Sequence, residues 1–200
     1  MDWLFEFPEL LDIDTAAIDS AVRGFAVWAG GVLDAITDGL GGLVNGIDWL
    51  LSHVPWPLLV LLVVALGWKA RGRLRSGVLY GALFALVGAV GYWEMMLITL
   101  SIVIASVLIS LVLGLPVGIL LSGSDRANRV VRPVLDTMQT MPVFVYLIPA
   151  MILFGTGNAP AVIATVIYAI VPVIRLTSLG IRQVDREGVE AAKSFGSTKG

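Results

Sequence analysis

The run MMLITLSIVIASVLISLVLGLPVGILL at residues 95–121 contains no charged residue and is the longest apolar stretch of the chain. A helix needs about 20 residues to cross the hydrocarbon core of a bilayer, so this run is long enough to span it. Shorter apolar stretches occupy residues 57–68, 77–93, 141–154 and 159–179. Because the chain is 58% hydrophobic and only 14% charged, with a mean hydropathy of +0.92, we predict an all-α, polytopic transmembrane helix bundle.

The basic residues indicate how these stretches are oriented. Twelve of the thirteen Lys and Arg residues fall in three clusters, at 69–75, 126–132 and 175–199. If the five apolar stretches alternate across the membrane, all three clusters lie on the same side. The positive-inside rule makes that side the cytoplasm. We therefore expect an external N-terminus and cytoplasmic loops at 69–75, 122–140 and 181–200.

The first 56 residues have a different character, with nine Asp or Glu residues against one Arg. Apolar residues recur there at helical spacing, which predicts one or two amphipathic helices, broken near Gly30–Gly31 and at Gly39–Gly42. Such helices either lie on the outer membrane surface, against lipid, or pack on the bundle. We thus divide the chain into an external acidic helical segment (1–56), two N-terminal transmembrane helices (57–93) and a core with three transmembrane helices (94–200).

Small residues recur at every fourth position of the longest stretch: Ser106, Ser110, Gly114 and Gly118. Residues at this spacing share one helix face, and small side chains there let another helix approach closely. We predict that this face is a helix-packing surface. Pro116, within the same segment, is expected to kink the helix.

Several kinds of chemistry are excluded by the composition. The chain has no cysteine and a single histidine, His53, so a cysteine-based or multi-histidine metal site is impossible, and no metal or other cofactor is expected. No nucleotide-binding loop of the form GxxxxGK[ST] occurs. The acidic residues lie outside the apolar stretches, which argues against a proton-driven carrier. We expect no enzymatic activity in this chain, and any solute movement would draw its energy from a partner.

From residue 136 onward the sequence resembles a known family. The segments that carry the resemblance are DTMQTMP (136–142), YLIP (146–149), FGTGN (154–158), VIAT (162–165), VIRLT (173–177), GIRQV (180–184) and EAAKSFGST (190–198). In this order they resemble the permease subunit of binding-protein-dependent ABC importers. Within these, they are most similar to the group that imports glycine betaine, proline betaine and related quaternary amines. The resemblance covers roughly residues 95–200, and because the family's last element continues beyond its glycine, the chain is expected to be C-terminally incomplete.

The resemblance implies a mechanism and a set of partners. Two permease copies, a homodimer, would form the pathway in a bacterial inner membrane, with ATPase subunits below that bind the ATP and an extracytoplasmic solute-binding protein above; no nucleic acid is implied. The ATPase-docking loop would contain Glu190, Ala191, Ala192, Phe195 and Gly196. We expect a short helix over residues 184–195, with Gly196 able to end it.

Polar and aromatic residues around the fourth apolar stretch either line a pathway or its gate, or serve as helix-packing contacts. They are Met138, Gln139, Thr140, Pro142, Tyr146 and Asn158. An alternative class of function is a solute or mechanosensitive channel without a motor, or a membrane scaffold. The kinked third stretch and the short fourth one would suit a gate. Energy dependence separates these alternatives, because a channel would pass solute in vesicles that lack ATP.

Overall fold

The computed structural model describes residues 15–185 and 194–196, and every regular element in this part of the chain is an α-helix. The fold class therefore agrees with the prediction. The helices are α1 (Thr15–Trp28), α2 (Gly30–Ser52), α3 (Trp56–Arg71), α4 (Leu74–Ala89), α5 (Trp93–Ser122), α6 (Asp125–Thr140), α7 (Phe144–Phe154) and α8 (Asn158–Arg182).

Within residues 15–185, two helices are by themselves long and apolar enough to cross a membrane. They are α5, with 30 residues or about 45 Å, and α8, with 25 residues or about 37 Å. The pairs α2–α3 and α6–α7, bent by 97° and 88°, are long and apolar enough only when the two helices of each pair are taken together. Of the five predicted spans, the third and fifth correspond to α5 and α8. The first and fourth, which are the shortest stretches, lie in the bent pairs, and α4, which contains most of the second, has 16 residues, about 24 Å.

The two long helices pack side by side and run in the same direction. Ala105 of α5 shares a buried cluster with Val162 of α8. Further along, Gly114 faces Val173, and Gly118 faces Thr177. Residue numbers rise together along both helices, so α5 and α8 are parallel. A parallel pair requires the chain to return between its members, and α6 and α7 provide this return.

The segment predicted as a cytoplasmic loop at 122–140 is mostly the helix α6, which corrects that prediction. Ser124 caps its N-terminus, since the Ser124 hydroxyl accepts a hydrogen bond from the Ala127 N–H at 3.3 Å. One side of α6 is apolar and packs on a cluster formed by Leu121, Val171 and Ile174, to which Leu135 contributes. The charges that suggested a loop lie on the other side of an amphipathic helix.

The N-terminal helix α2 packs on the bundle, which is one of the two placements expected for it. Val44 is fully buried against α5 and α8, with Leu40 and Ile47 beside it. The Ser101 hydroxyl of α5 donates to the Asp48 carboxylate at 3.3 Å. The break predicted near Gly30–Gly31 is present at the start of α2, but the break at Gly39–Gly42 is absent because tertiary packing holds α2 continuous.

Helices α3 and α4 form a hairpin at the edge of the bundle. Gly72 turns the chain between them in a left-handed conformation (φ 65°), and its N–H donates to the Trp68 carbonyl at 2.7 Å. The hairpin meets α5 where the rings of Phe84 and Trp93 pack edge to face, with centroids 5.7 Å apart. Trp93 was predicted to end the second apolar stretch, but it is the first residue of α5.

Candidate translocation and docking site

The break between α6 and α7 is set by Pro142. A residue that precedes proline is disfavoured in helical conformation, and Met141 is accordingly extended, with φ −75° and ψ 136°. The chain then enters α7 at a bend of 88°. One hydrogen bond spans this break: the Tyr146 hydroxyl donates to the Met138 carbonyl at 2.7 Å. The bend is therefore held by a side chain as well as imposed by the backbone.

Five of the six predicted pathway residues come together at this break. Met138 and Tyr146 are half-buried, whereas Gln139, Thr140 and Pro142 are exposed. The Thr140 hydroxyl donates to the Thr137 carbonyl at 3.0 Å, within its own helix. The sixth residue, Asn158, is half-buried at the first position of α8, beyond the far end of α7. Because α7 has 11 residues, Asn158 lies about 16 Å along that helix from the others.

At the opposite end of α6, the last residue of α8 joins three helices. Arg182 donates from Nη1 to the Asp125 carboxylate at 2.5 Å and from Nη2 to the Leu121 carbonyl at 2.9 Å. Leu121 lies in the last turn of α5, where backbone carbonyls lack helical partners, and Asp125 is the first residue of α6. A cation at a helix C-terminus and an anion at a helix N-terminus both oppose the charge of the helix dipole.

A second ion pair links α6 and α8 further along both helices. The Arg175 guanidinium donates from Nη2 to the Asp136 carboxylate. The Arg175 Nε is buried and has no hydrogen-bond partner among residues 15–185 and 194–196. These two pairs were not predicted from the sequence, because their members are 57 and 39 residues apart and each arginine had been read only as part of a basic cluster. A negative residue facing each arginine becomes evident only when α6 folds back on α8.

The ion pair also changes the acidity of Asp125. The hydrogen bond from Arg182 and the charge of that guanidinium lower the pKa of Asp125 below its ordinary value of 3.8, and Arg129 adds a smaller effect in the same direction. The carboxylate is therefore ionised at neutral pH and remains so in mildly acidic solution.

The predicted docking loop follows α8 directly. Glu190, Ala191 and Ala192 lie outside the described residues, as does most of the helix predicted for 184–195; Val184 and Asp185, its first two residues, are not helical. Phe195 is 93% exposed, and Gly196 has a left-handed backbone, with φ 88°. The structure thus presents a large apolar side chain to solvent next to a backbone turn that favours glycine.

The four small residues of α5 are all buried. A Cβ atom added to Gly118 would lie 2.6 Å from the Thr177 Cβ and 2.9 Å from the Ile174 carbonyl oxygen. One added to Gly114 would lie 2.8 Å from the Val173 side chain. Glycine at these positions is what allows the α8 backbone to approach α5. Ser106 and Ser110 continue the same face toward the N-terminus of α5.

Comparison with known proteins adds independent information. The chain is 45% identical over 99% of its length to the glycine betaine transport system permease protein OpuAB of Bacillus subtilis, covering 68% of that protein. It is 44% identical over 90% of its length to the glycine betaine/carnitine transport permease protein GbuB of Listeria monocytogenes, covering 65% of that protein. With the glycine betaine/proline betaine transport system permease protein ProW of Escherichia coli, the identity is 42% over 78% of the chain, covering 44% of ProW.

The similarity extends to residues that precede the recognised motifs. The chain spans about two thirds of the length of OpuAB and GbuB and less than half of ProW. A family model described as "binding-protein-dependent transport system inner membrane component" matches residues 110–200. This range includes the C-terminal part of α5 from Ser110 onward, all of α6 to α8 and the predicted docking loop. The chain belongs to this family of helical inner-membrane permeases of ABC importers.

Proposed function

We propose that this chain forms the permease subunit of an ATP-driven importer for glycine betaine and related quaternary amines. The observation that carries the proposal is the 45% identity to a glycine betaine permease over 99% of the chain. Relatives named for glycine betaine with carnitine or with proline betaine favour the same chemical class of solute. ATP hydrolysis belongs to a separate ATPase subunit, and an extracytoplasmic binding protein delivers the solute to a pathway between two copies of the permease.

The pathway is proposed to pass the α6–α7 break. Gln139, Thr140 and Pro142 are exposed there, and exposed polar side chains in an otherwise apolar bundle are typical of a solute route or its gate. Broken helices expose backbone groups that lipid cannot satisfy, so such breaks occur where protein or a water-filled cavity surrounds them. Asn158 contributes at the external end of α7.

The proposed topology places the N-terminus outside and the docking loop in the cytoplasm. The positive-inside rule supports this orientation, and it applies to Arg126, Arg129 and Arg132 of α6 as it did to the predicted loop. Asp34 and Asp38 project from one side of α2, and exposed Val32 and Ile36 project from the roughly opposite side. A helix with these two sides suits a membrane interface, and the proposed orientation makes that the outer one.

The experiment is uptake of labelled glycine betaine into proteoliposomes that contain the full-length permease, its ATPase and its binding protein. We expect accumulation against a gradient that requires ATP and the binding protein. Choline, carnitine and proline betaine, added unlabelled, would rank the solutes by competition. Passive equilibration of betaine without ATP would instead establish the alternative, a channel without a motor. Absence of movement under every condition would favour a scaffold.

A further inference from the structure

The two ion pairs between α6 and α8 form a unit that we call the α6–α8 clamp: Asp125–Arg182 and Asp136–Arg175. Asp125, the first residue of α6, pairs with Arg182, the last residue of α8, whereas Asp136, later in α6, pairs with Arg175, earlier in α8. This order means that α6 runs antiparallel to α8. Two separate attachment points oppose pivoting of α6 as well as sliding.

The position of the clamp within the chain gives it a direction of action. Arg182 ends α8, and the segment that contains the predicted docking loop begins right after it. From Asp125, α6 extends 16 residues, about 24 Å, to Thr140 and the break at Pro142. Thus one end of α6 is tied to the origin of the docking loop, and its other end carries the candidate gate.

The ion pairs are poorly placed to serve stability alone. The Asp125 and Asp136 side chains are 81% and 52% exposed, and ion pairs at such exposure contribute little to the free energy of unfolding. The apolar cluster formed by Leu121, Leu135, Val171 and Ile174 already holds α6 against its neighbours. Apolar contacts resist separation of the helices, but they restrict sliding and rotation only weakly because they are not directional. The ion pairs add contacts that favour one register of α6 on α8.

We propose that the α6–α8 clamp transmits movement of the docking loop to the α6–α7 break, so that α6 and α8 move as one rigid lever during transport. This inference rests on the proposed importer function. Asp125, Asp136, Arg175 and Arg182 are positioning residues in this scheme, because they hold helices in register and contact neither solute nor nucleotide. Small shifts at one site can be amplified in this way when packed elements move as rigid bodies.

The first test measures coupling in the reconstituted full-length complex. Asp125→Asn and Asp136→Asn should still assemble with the ATPase and hydrolyse ATP, but betaine imported per ATP hydrolysed should fall at least about 5-fold, the lower range of coupling between sites. The exchange D136R with R175D restores an ion pair of reversed polarity and should recover most of the loss. Arg126→Gln, an exposed cation on the same helix, is the matched control and should import normally.

The second test measures the distance between α6 and α8 and does not depend on transport. Residues 1–200 contain no cysteine, so after replacement of any cysteine elsewhere in the complex, spin labels can be placed at Val130→Cys and Leu176→Cys. These positions are 72% and 68% exposed on α6 and α8. The distance between the labels should stay constant when ATP and vanadate trap the nucleotide-bound complex, and its distribution should broaden when Asp125→Asn or Asp136→Asn is added.

A label distance that changes with nucleotide while both ion pairs are intact would overturn the proposal, and so would an unchanged ratio of betaine imported to ATP hydrolysed in both single variants. A wild-type complex that imports no betaine would refute the proposed function instead, and the label distances would still decide whether the clamp exists.

Discussion

Three serines of α5 are buried, and their hydroxyl groups are satisfied to different degrees. The single hydroxyl hydrogen of Ser101 is shared between the Leu97 carbonyl at 2.9 Å and the Asp48 carboxylate of α2 at 3.3 Å, so Ser101 joins two helices. Ser106 donates to the Ile102 carbonyl at 2.7 Å, within its own helix. Ser110 is 1% exposed, and its hydroxyl has no partner in the part of the chain that the structure describes. An unpaired buried hydroxyl costs about 1–3 kcal/mol.

Replacement of Ser110 should therefore be favourable. Ser110→Ala removes the unpaired hydroxyl at nearly constant volume, and we expect the free energy of unfolding in detergent to rise by about 1 kcal/mol. The measurement is thermal or denaturant unfolding followed by tryptophan fluorescence. Ser106→Ala is the matched control: it removes a satisfied hydroxyl, so stability should stay the same or fall slightly. A loss of stability in Ser110→Ala larger than that in Ser106→Ala would contradict this interpretation.

The ion pair of Asp125 makes a prediction about pH. Since the pKa of Asp125 is lowered in the folded state, the carboxylate stabilises the fold above its ordinary pKa of 3.8 and loses this effect as the pH falls through the folded value. The difference in unfolding midpoint between the wild type and Asp125→Asn should be constant from about pH 7 to about pH 5 and shrink only below about pH 4. A difference that already disappears near pH 6 would show that another group controls it.

At the scale of helices, the close contact of α5 and α8 organises the bundle. The two helices are parallel, and the residues that face each other are small in α5 and β-branched in α8. Helices α2 and α6 pack on the surface that this pair forms. In lipid, where apolar surface is not driven together by water, such contacts depend on close approach of the helices and van der Waals packing.

The Gly118 contact can be tested by adding one methyl group. Gly118→Ala should push α5 away from α8, because the new Cβ would meet the Ile174 carbonyl oxygen at 2.9 Å, and we expect a loss of about 1–3 kcal/mol. Gly46→Ala in α2 is the control, since a Cβ there meets nothing within 4 Å and alanine favours helix by about 0.5–1 kcal/mol. Unfolding in detergent measures both. Equal effects of the two substitutions would refute the role of close approach at Gly118.

At the scale of the whole molecule, the helices, the clamp and the predicted docking loop meet at one end of the bundle, which is proposed to be cytoplasmic. The loop is proposed to engage the ATPase, and its one described glycine, Gly196, is held at φ 88°. Within this chain a Cβ at Gly196 would meet nothing within 4 Å. A substitution there therefore acts on the chain itself only through the backbone shape of the loop.

Two glycines near this end of the bundle, Gly196 and Gly180, offer a matched comparison. Gly196→Ala forces a left-handed conformation on alanine at about 1–2 kcal/mol, so the turn should relax to another shape and ATPase-coupled betaine uptake should fall at least about 5-fold. Gly180→Ala lies in helix α8, also with nothing within 4 Å, and should leave uptake unchanged. Full uptake by the Gly196→Ala complex would remove the support for a docking turn at this glycine.

Much of the fold follows from local pattern. The long apolar runs predicted the helical class and the approximate bounds of α5 and α8, because burial in lipid requires a continuous helix of sufficient length. The break before α7 follows from Pro142, and the small-residue face of α5 follows from spacing by four. The helix α6 was not predicted because a run of charged residues is typical of a loop. The continuity of α2 was not predicted because four nearby glycines disfavour helix; packing against Ala105 and Val162 stabilises the helix in spite of them.

The sequence by itself determined that this chain is a helical membrane protein, which residues carry the family's motifs and which helix faces are small enough for close contact. Tertiary structure alone decided that α5 and α8 run parallel, that α2 packs on them, and that Asp125 and Asp136 meet Arg182 and Arg175. The physical reason is the separation in sequence over which each interaction acts. Hydropathy, spacing and proline act over a few neighbouring residues, whereas these ion pairs join residues 39 and 57 positions apart, and only the return of the chain through α6 brings them together.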